Sequence, residues 1–356
     1  MYPNIAVVQA ATDTPEWKAT QPMEFLYLGG ANSIEAQLAH RFGIPFRAVQ
    51  SGSLRGQKPW TVLRNSLKIA FGAGQAYATL SRFRPDVILV TGGYMSVPVV
   101  LAGYVKRIPI MIYLPDIVPG LAIKRLSRWA SRVAVSFAET TAAFAAGKAI
   151  VTGYPVRREF FEADRKQARE RLQLAQDSPV VMIYGGSRGA HSINVAVAQQ
   201  LPALLRKAQM VHVCGREDID EAEANKGALP TLLQDRYHPF AYLHEEMIDA
   251  LAATDLVVAR AGASILGEFP ALGLPSVLIP YPYAGQHQEA NADYMVRHGA
   301  AVKLQDRDLC EQLLPTVAGL LQDSKRLSAM RNCAQKLSNA GAASRIVREL
   351  QVLAGA

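Results

Sequence analysis

The chain has 356 residues, of which 50% are hydrophobic and 19% are charged. At roughly 150 residues per domain this length predicts two domains, and the apolar content excludes a disordered chain. The formal net charge of +8 favours an anionic partner, whether a phosphorylated ligand, an acidic membrane surface or a nucleic acid.

The first half alternates helical and strand-like segments. Residues 5–11 have a helical pattern, residues 25–30 form an apolar run that ends in a glycine turn, and residues 33–41 again have helical spacing. Two further apolar runs, 86–93 and 108–114, are predicted strands. Short continuous apolar runs are typical of parallel strands that are covered on both faces.

A strand-like segment at 149–151 is followed by a polar stretch with turn residues, and we expect a domain boundary within 155–175. A second series of strands and helices follows. Its predicted strands are 180–186, 210–215, 256–260 and 276–280, and its last helices lie within 310–353. The pattern predicts an α/β protein of two doubly wound, Rossmann-like domains with a ligand cleft at the strand ends.

The segment Gly185-Gly-Ser-Arg-Gly-Ala190 lies directly after a predicted strand and before a helix. Glycines permit close approach of a ligand to the backbone, and a helix amino terminus favours an anion. Ser187 adds a hydroxyl and Arg188 a charge, which indicates a phosphate site, although the segment lacks the ending of a Walker loop. The alternative is an ordinary tight turn.

The segment from Arg260 to Glu268 also follows a strand. We expect Ser264 to cap a helix and Glu268 to lie one turn into it, where a carboxylate can accept hydrogen bonds from both ribose hydroxyls. The alternative is a carboxylate that only complements the helix amino terminus.

The segment 280–292 places Gln286, His287, Gln288 and Asn291 just beyond a strand. Amides suit sugar hydroxyls because they both donate and accept hydrogen bonds. Polar surface at the start of a helix is the alternative.

Two turns of the first half follow strands in the same way. Gly92 and Gly93 lie in one and Asp116 in the other. The glycines are candidates for a second anion site, with simple tight turns as the alternative.

Residues 58–84 form a long predicted helix on which Arg64 and Lys68 accompany an apolar stripe. The stripe consists of Trp60, Leu63, Leu67 and Phe71. Such a helix suits an anionic membrane surface, but we expect most of these apolar residues to face the core.

The sequence gives no support for a membrane-spanning, secreted, zinc-binding or nucleic-acid-binding protein. No apolar run approaches the ~18 residues of a membrane-spanning helix, and the amino terminus does not have the pattern of a signal peptide. Cys214, Cys310 and Cys333 fit no zinc or disulfide pattern, which indicates reduced thiols in the cytoplasm. We find no basic cluster or motif for a nucleic-acid partner.

Six motifs, in chain order, resemble the MurG-type glycosyltransferases of family 28. They are GGYMS, DIVPG, GYPVR, GGSRGA, RAGASILGE and HQEANA. The resemblance covers essentially the whole chain and implies a GT-B fold. It implies an acceptor and membrane-facing domain over 1–158, a UDP-sugar domain over 159–340 and a helix over 341–356 that returns to the first domain.

The implied reaction is inverting transfer of N-acetylglucosamine from UDP-N-acetylglucosamine to undecaprenyl-linked lipid I, which gives lipid II for peptidoglycan. The enzyme would be peripheral at the cytoplasmic face of an anionic cell membrane, without a metal to hold the donor. A related enzyme that glycosylates diacylglycerol, and a sugar-nucleotide-binding protein of low activity, stay open as alternatives.

The resemblance also assigns residues, and among them Ser187 contacts the diphosphate, Leu243 the uracil and Glu268 the ribose. The full donor set is Asp116, Arg157, Ser187, Leu243, Ala263, Ser264, Ile265, Leu266, Gly267, Glu268, Gln288 and Asn291. Gly92, Gly93 and Tyr94 border the acceptor diphosphate.

The sequence departs from the family pattern at three places. Asp116 and Arg188 stand where the family usually has an amide. The family also opens with a strand and a Gly-Gly-Thr-Gly-Gly-His loop, whose histidine is its usual candidate for the base. Tyr2-Pro3 matches the pair that follows this loop, so we expect the first domain to lack its first strand and glycine-rich loop. The catalytic base is therefore unidentified; Asp116 and His287 are candidates by motif position only.

Overall fold

The computed structural model describes residues 1–13, 23–53, 58–185, 190–282 and 287–355, with Pro59 described by its backbone alone. The chain divides into two compact units. The first comprises Met1–Arg157 together with Gly341–Ala356, and the second is Arg158–Ala340.

The first unit alternates strands with helices. Its strands are β1 (Tyr27–Gly29), β2 (Phe46–Ala48), β3 (Ile88–Val90), β4 (Ile110–Leu114), β5 (Arg132–Val135) and β6 (Ala149–Val151). Its helices are α1 (Tyr2–Asp13), α2 (Ile34–Arg41), α3 (Pro59–Phe83), α4 (Ser96–Val105), α5 (Leu121–Leu126) and the C-terminal helix (Ala342–Ala354). The helix predicted at the start of the chain and the one capped by Ser33 are both present.

All strand pairs of this unit are parallel, but they form two sheets instead of the single predicted sheet. β1 pairs with β2, and the other sheet has the order β3-β4-β5-β6. In the described part of the chain no strand joins β1 to β3. A cavity of about 1060 Å³ lies beside the segment that leads into β1, between α1 and the end of α3.

The C-terminal helix packs on the first unit, as the family resemblance implies. Ile346 and Val347 join Val7 of α1 and Met111 and Tyr113 of β4 in one buried cluster. The four-stranded sheet is thereby covered on this face, while α3 and α4 contribute to a separate buried cluster with β3, β4 and β5.

The second unit is built in the same way around one sheet. Its strands are β7 (Val180–Tyr184), β8 (Gln209–Val213), β9 (Tyr237–Phe240), β10 (Leu256–Arg260), β11 (Ser276–Ile279) and β12 (Ala301–Lys303). Its helices are α6 (Glu159–Glu162), α7 (Arg165–Arg171), α8 (His191–Leu205), α9 (Ile219–Gly227), α10 (Thr231–Gln234), α11 (Glu246–Ala252), α12 (Glu268–Leu272), α13 (His287–Arg297), α14 (Leu309–Gln322) and α15 (Ser324–Lys336).

The sheet of the second unit has the order β12-β11-β10-β7-β8-β9, and every neighbouring pair is parallel. The chain first builds outward from β7 to β9 and then returns to build β10, β11 and β12 on the other side. The order therefore reverses between β7 and β10, and ligands of such sheets bind at this point, beyond the carboxyl ends of the strands. The predicted α/β class is confirmed.

A buried arginine holds α7 to the start of β7. Arg169 donates to the carbonyls of Ala253 at 3.0 Å and Ser178 at 3.1 Å and forms an ion pair with Asp255 at 2.8 Å. Asp255 also accepts from the backbone N–H of Val180 at 3.0 Å. Asp255 also pairs with Arg165 at 2.5 Å and Arg331 at 3.6 Å, so three cations and a hydrogen bond compensate its partly buried charge.

Candidate functional site

The carboxyl ends of β7 and β10 carry two of the predicted loops. Tyr184 ends β7 and Arg260 ends β10, and the two strands are direct neighbours. Ser187, the predicted diphosphate contact, and Arg188 lie outside the described residues, which resume at Ala190 before α8.

The loop after β10 differs from its prediction in two respects. Ala263–Leu266 is a 3-10 turn, so Ser264 lies inside this turn and does not cap an α-helix. Glu268 is the first residue of α12 and not one turn into a helix. The residues that were expected to form the first turn of an α-helix form this tighter 3-10 turn instead. Ile265 and Leu266 point into the core, which leaves the backbone of this turn to contact a ligand.

Glu268 lies close to the end of β7. It is buried, and its negative charge raises the pKa of the Tyr184 phenol, which burial has already raised well above its usual value; the Ser264 hydroxyl opposes the shift. The ring of Phe269 packs edge-on against Tyr184, with centroids 6.3 Å apart. The structure thus brings Ser264 and Glu268 together beside Tyr184, a neighbour that the sequence did not indicate.

The two predicted sugar-binding amides lie on the first turns of α13. Asn291 is fully buried and donates from Nδ2 to the carbonyl of Ala261 at 3.1 Å. The Oε1 atom of Gln288 accepts from the backbone N–H of Tyr281 at 2.8 Å. Because its oxygen faces the backbone, Gln288 is oriented to donate from its NH₂ group to a ligand.

Leu243, the predicted uracil contact, follows β9 and is itself buried. Its side chain therefore belongs to the core, which leaves its backbone as the part that can contact a base.

A buried charge cluster links several strand ends and was not anticipated. Arg260 forms an ion pair with Asp306 at 2.5 Å and donates to the Ser192 hydroxyl at 2.7 Å. Ser192 in turn donates to Asp306 at 2.8 Å. Ser192 lies on the first turn of α8, so the cluster connects the end of β10 to the start of that helix.

A second buried network joins α8 to β8 and β9. His212 contacts the Tyr237 hydroxyl at 2.8 Å through Nδ1 and Asn194 Oδ1 at 3.0 Å through Nε2. Since Asn194 donates from Nδ2 to Asp218 at 2.6 Å, its oxygen must face the histidine, and Nε2 carries the proton. Burial lowers the pKa of His212 to about 4. This histidine is therefore neutral at pH 7 and its bonding is satisfied.

In the first unit, Gly92 and Gly93 lie between β3 and α4 with φ angles of +90° and +77°. L-residues rarely adopt such angles, so this turn requires glycine. A Cβ on Gly92 would also approach Ile123 to 2.7 Å, whereas one on Gly93 would meet nothing within 4 Å. Tyr94 follows with half of its surface exposed. The three predicted acceptor residues thus form one short turn.

Two donor candidates belong to the first unit. Asp116 follows β4 and contributes to the raised pKa of Tyr113, of which burial is the main cause. Arg157 is buried, with its guanidinium carbon 4.6 Å from the centre of the Tyr2 ring. In the first unit, Arg157 therefore packs against the start of α1.

The apolar stripe of α3 faces solvent, contrary to the expectation that most of it would face the core. We call its four residues the α3 apolar face. Their exposed fractions are 77% for Trp60, 52% for Leu63, 65% for Leu67 and 59% for Phe71. The opposite side of the helix packs instead, through Ile69, Ala76 and Leu80.

Gly72 permits the packed side of α3 to approach neighbouring backbone, because a Cβ there would lie 1.8 Å from the carbonyl oxygen of Gln50. Within the described ranges, no helix is long and apolar enough to cross a membrane. Nor do His, Cys, Asp and Glu side chains there form a group of three or more that could hold a metal ion.

Comparison with known proteins identifies the family. The glycosyltransferase family 28 N-terminal domain model matches residues 1–135, and the C-terminal domain model of the same family matches residues 180–346. These two ranges cover most of each unit.

Two similar proteins share the name UDP-N-acetylglucosamine--N-acetylmuramyl-(pentapeptide) pyrophosphoryl-undecaprenol N-acetylglucosamine transferase. The one from Roseiflexus sp. (strain RS-1) is 42% identical over 92% of this chain and 83% of its own. The one from Desulforudis audaxviator (strain MP104C) is 38% identical over 100% of this chain and 95% of its own.

Among solved structures, MurG of Acinetobacter baumannii has the same fold, with a TM-score of 0.71 and 23% identity over 99% of this chain and 95% of that one. The family models and the identity to these relatives agree with the motifs. The chain therefore belongs to glycosyltransferase family 28.

Proposed function

We propose that this protein transfers N-acetylglucosamine from UDP-N-acetylglucosamine to lipid I and so forms lipid II for peptidoglycan synthesis. The observation that carries the proposal is 38–42% identity, over nearly the whole chain, to relatives named for this transfer. The alternatives of a diacylglycerol acceptor or a binding protein of low activity are not favoured, because these relatives are named for the undecaprenyl-linked acceptor.

The donor would bind at the strand ends of the second unit. Glu268 would accept hydrogen bonds from the ribose hydroxyls, and the backbone near Leu243 would bind the uracil. The NH₂ group of Gln288 would donate to the sugar, since its oxygen already accepts from Tyr281. These groups lie on short segments directly beyond β9, β10 and β11, as expected for a nucleotide site of a doubly wound sheet.

In the reaction, a hydroxyl of lipid I would attack the anomeric carbon and lose its proton to a general base as the bond to the UDP oxygen breaks. This displacement inverts the anomeric configuration, and negative charge grows on the departing diphosphate. Hydrogen-bond donors that point at this charge lower the barrier most effectively when they are held in place beforehand. By resemblance to the family, we propose that the donor binds without a metal ion.

The acceptor arrives from a membrane, and we propose that the α3 apolar face contacts that surface at the cytoplasmic side. Arg64 and Lys68 are exposed on the same helix, beside the four apolar residues. Apolar side chains that enter the interface and basic groups that meet anionic headgroups together favour binding to an acidic membrane.

The test is formation of lipid II from UDP-N-acetylglucosamine labelled in the sugar and a lipid I analogue, with products identified by mass spectrometry. We expect label in lipid II, equal turnover with and without EDTA, and no product with diacylglycerol. Glycosylated diacylglycerol would contradict the proposed acceptor. Tight UDP binding without any product would instead indicate a binding protein, and loss of turnover in EDTA would contradict metal-free donor binding.

A further inference from the structure

Arg260 lies at the centre of the polar groups beyond β10 and β11. Its side chain is 8% exposed, while that of its counter-charge Asp306 is 22% exposed. A buried guanidinium without partners is costly, and here Asp306 and Ser192 both compensate it. Removal of either charge would leave the other partly buried and unpaired.

The same guanidinium reaches the segment that follows β11. It donates through Nη1 to the carbonyls of Ile279 and Pro280, each at 3.4 Å, and its carbon lies 5.4 Å from the centre of the Tyr281 ring. The 3.4 Å distances are those of long hydrogen bonds, and the 5.4 Å distance lies within the range of a cation–π contact. Because 44% of the Tyr281 surface is exposed, this contact is one restraint on the position of its ring.

Tyr281 connects the arginine to a predicted sugar contact. Its backbone N–H donates to Gln288 Oε1 at 2.8 Å, across an intervening segment of the chain. The position of this N–H therefore decides which way the Gln288 amide turns. With the oxygen so bound, the NH₂ group is presented for donation.

We propose that Arg260, with Asp306 as its counter-charge, is a positioning residue for the N-acetylglucosamine of the donor, because it fixes Tyr281 and through it the Gln288 amide. This inference rests on the proposed function and extends it to a residue that touches no substrate. The side-chain contacts of Arg260 described above run to Asp306, Ser192 and the segment after β11, whereas the proposed uridine contacts are Glu268 and the backbone near Leu243. Loss of the arginine should therefore weaken recognition of the sugar more than that of UDP.

The test compares binding of UDP and of UDP-N-acetylglucosamine to the full chain by calorimetry. For Arg260→Met, we expect the affinity for UDP-N-acetylglucosamine to fall about tenfold, as loss of one oriented hydrogen bond allows. The affinity for UDP should stay within about twofold, the limit for independent sites. Gln288→Ala should give the same result, and the double variant should lose no more than either single one.

Lys303→Met is the matched control, because Lys303 forms ion pairs at 2.5 Å with Glu289 and Asp293 on the same helix as Gln288. It disturbs α13 without touching Arg260, and we expect both affinities to stay unchanged. Ser192→Ala removes the hydrogen bond from Arg260 to α8 and leaves the contacts of Arg260 with the segment after β11. It should leave the ratio of the affinities for UDP and UDP-N-acetylglucosamine unchanged.

Equal losses for UDP and UDP-N-acetylglucosamine, additive losses in the double variant, or the same loss in Lys303→Met would each overturn the inference. If Arg260→Met does not fold, Tyr281→Ala removes the restrained ring and must give the same selective loss. If the wild-type protein binds UDP and the variants lose affinity for UDP-N-acetylglucosamine as described, the inference is supported even if no lipid II forms. Failure of the wild type to bind UDP overturns the proposed function and this inference with it.

Discussion

Leu67→Glu tests whether the α3 apolar face contacts a membrane. Leu67 is 65% exposed, and Leu63 and Phe71 lie one turn away on either side. Because the side chain is largely in water in the folded protein, its replacement should change the free energy of unfolding by no more than about 0.5 kcal/mol.

The effect on membrane binding should be much larger. Full burial of a leucine side chain contributes about 1.5–3 kcal/mol. Because 65% of Leu67 is exposed, its burial in the membrane should contribute about 1–2 kcal/mol to the free energy of membrane binding. A carboxylate at an anionic surface costs about 1 kcal/mol more, the value per charge near such a membrane. The sum of about 2–3 kcal/mol corresponds to a loss in affinity of roughly 30- to 150-fold.

The assay is sedimentation with phosphatidylcholine vesicles that contain or lack phosphatidylglycerol. Leu232→Glu is the control, since Leu232 is 87% exposed on α10 in the second unit and should not matter. Wild type and Leu232→Glu should bind the acidic vesicles, less so at high salt, whereas Leu67→Glu should stay in solution. Equal binding by all three proteins, or equal loss in both variants, would refute the assignment of this face.

Three further predictions concern the second unit. Glu268→Gln should weaken UDP binding about tenfold in calorimetry, because a charged acceptor of hydrogen bonds is lost; unchanged affinity would refute the ribose assignment. Arg169→Met should lower the free energy of unfolding in urea by about 3 kcal/mol, because the carbonyls of Ala253, Gln176 and Ser178 lose their buried donor. Arg171→Met, at an exposed ion pair, should leave this free energy nearly unchanged. Below pH 6.5 the unfolded chain binds a proton at His212 that the folded state, with a pKa of about 4, does not take up. The free energy of unfolding should therefore fall by about 3 kcal/mol from pH 6.5 to 4. In His212→Asn the fall over the same pH range should be smaller, because this titrating group is absent.

The strands that the sequence predicted correctly lie in mainly apolar runs, although β8, β10 and β11 each include a polar or charged residue. Every residue of β4 and of β7 is buried, so neither strand needs an alternating pattern to be recognised. β9 was missed because Tyr-His-Pro-Phe contains a proline and a histidine, and β2 because its three residues are mostly exposed. In both cases pairing with a neighbouring strand, and not local composition, forms the strand.

The orientation of α3 could not be predicted because the helix carries two apolar stripes. One contains Ile69, Ala76 and Leu80, and the other contains larger residues such as Trp60 and Phe71. Size and hydrophobicity favour the second stripe for the core. The structure buries the first, because small residues such as Gly72 allow that side to approach neighbouring backbone.

At the site, sequence motifs identified groups that follow strands but not the contacts between them. Glu268 and Gln288 stood out because each lies just beyond an apolar strand. Ser192 and Asp306 did not, since 114 residues separate them in the chain and only the fold brings them into contact with each other and with Arg260. The available signal was an arginine at the end of an apolar run, because a charge that such a strand draws into the core requires a partner somewhere in the fold.

The candidate residues of the two units differ in a way that suits two different ligands. Glu268 and Asn291 in the second unit are buried, and the Asn291 side chain donates to a backbone carbonyl. Polar groups held in this manner favour a small, rigid, polar ligand, because little order has to be created when it binds.

In the first unit, Tyr94 and the α3 apolar face are exposed, and Gly92 and Gly93 expose backbone at a turn. A lipid that stays in its membrane can be reached only by groups on a protein surface. In the proposed reaction, the buried groups of the second unit would bind the soluble nucleotide sugar, and the exposed groups of the first unit would meet the membrane lipid.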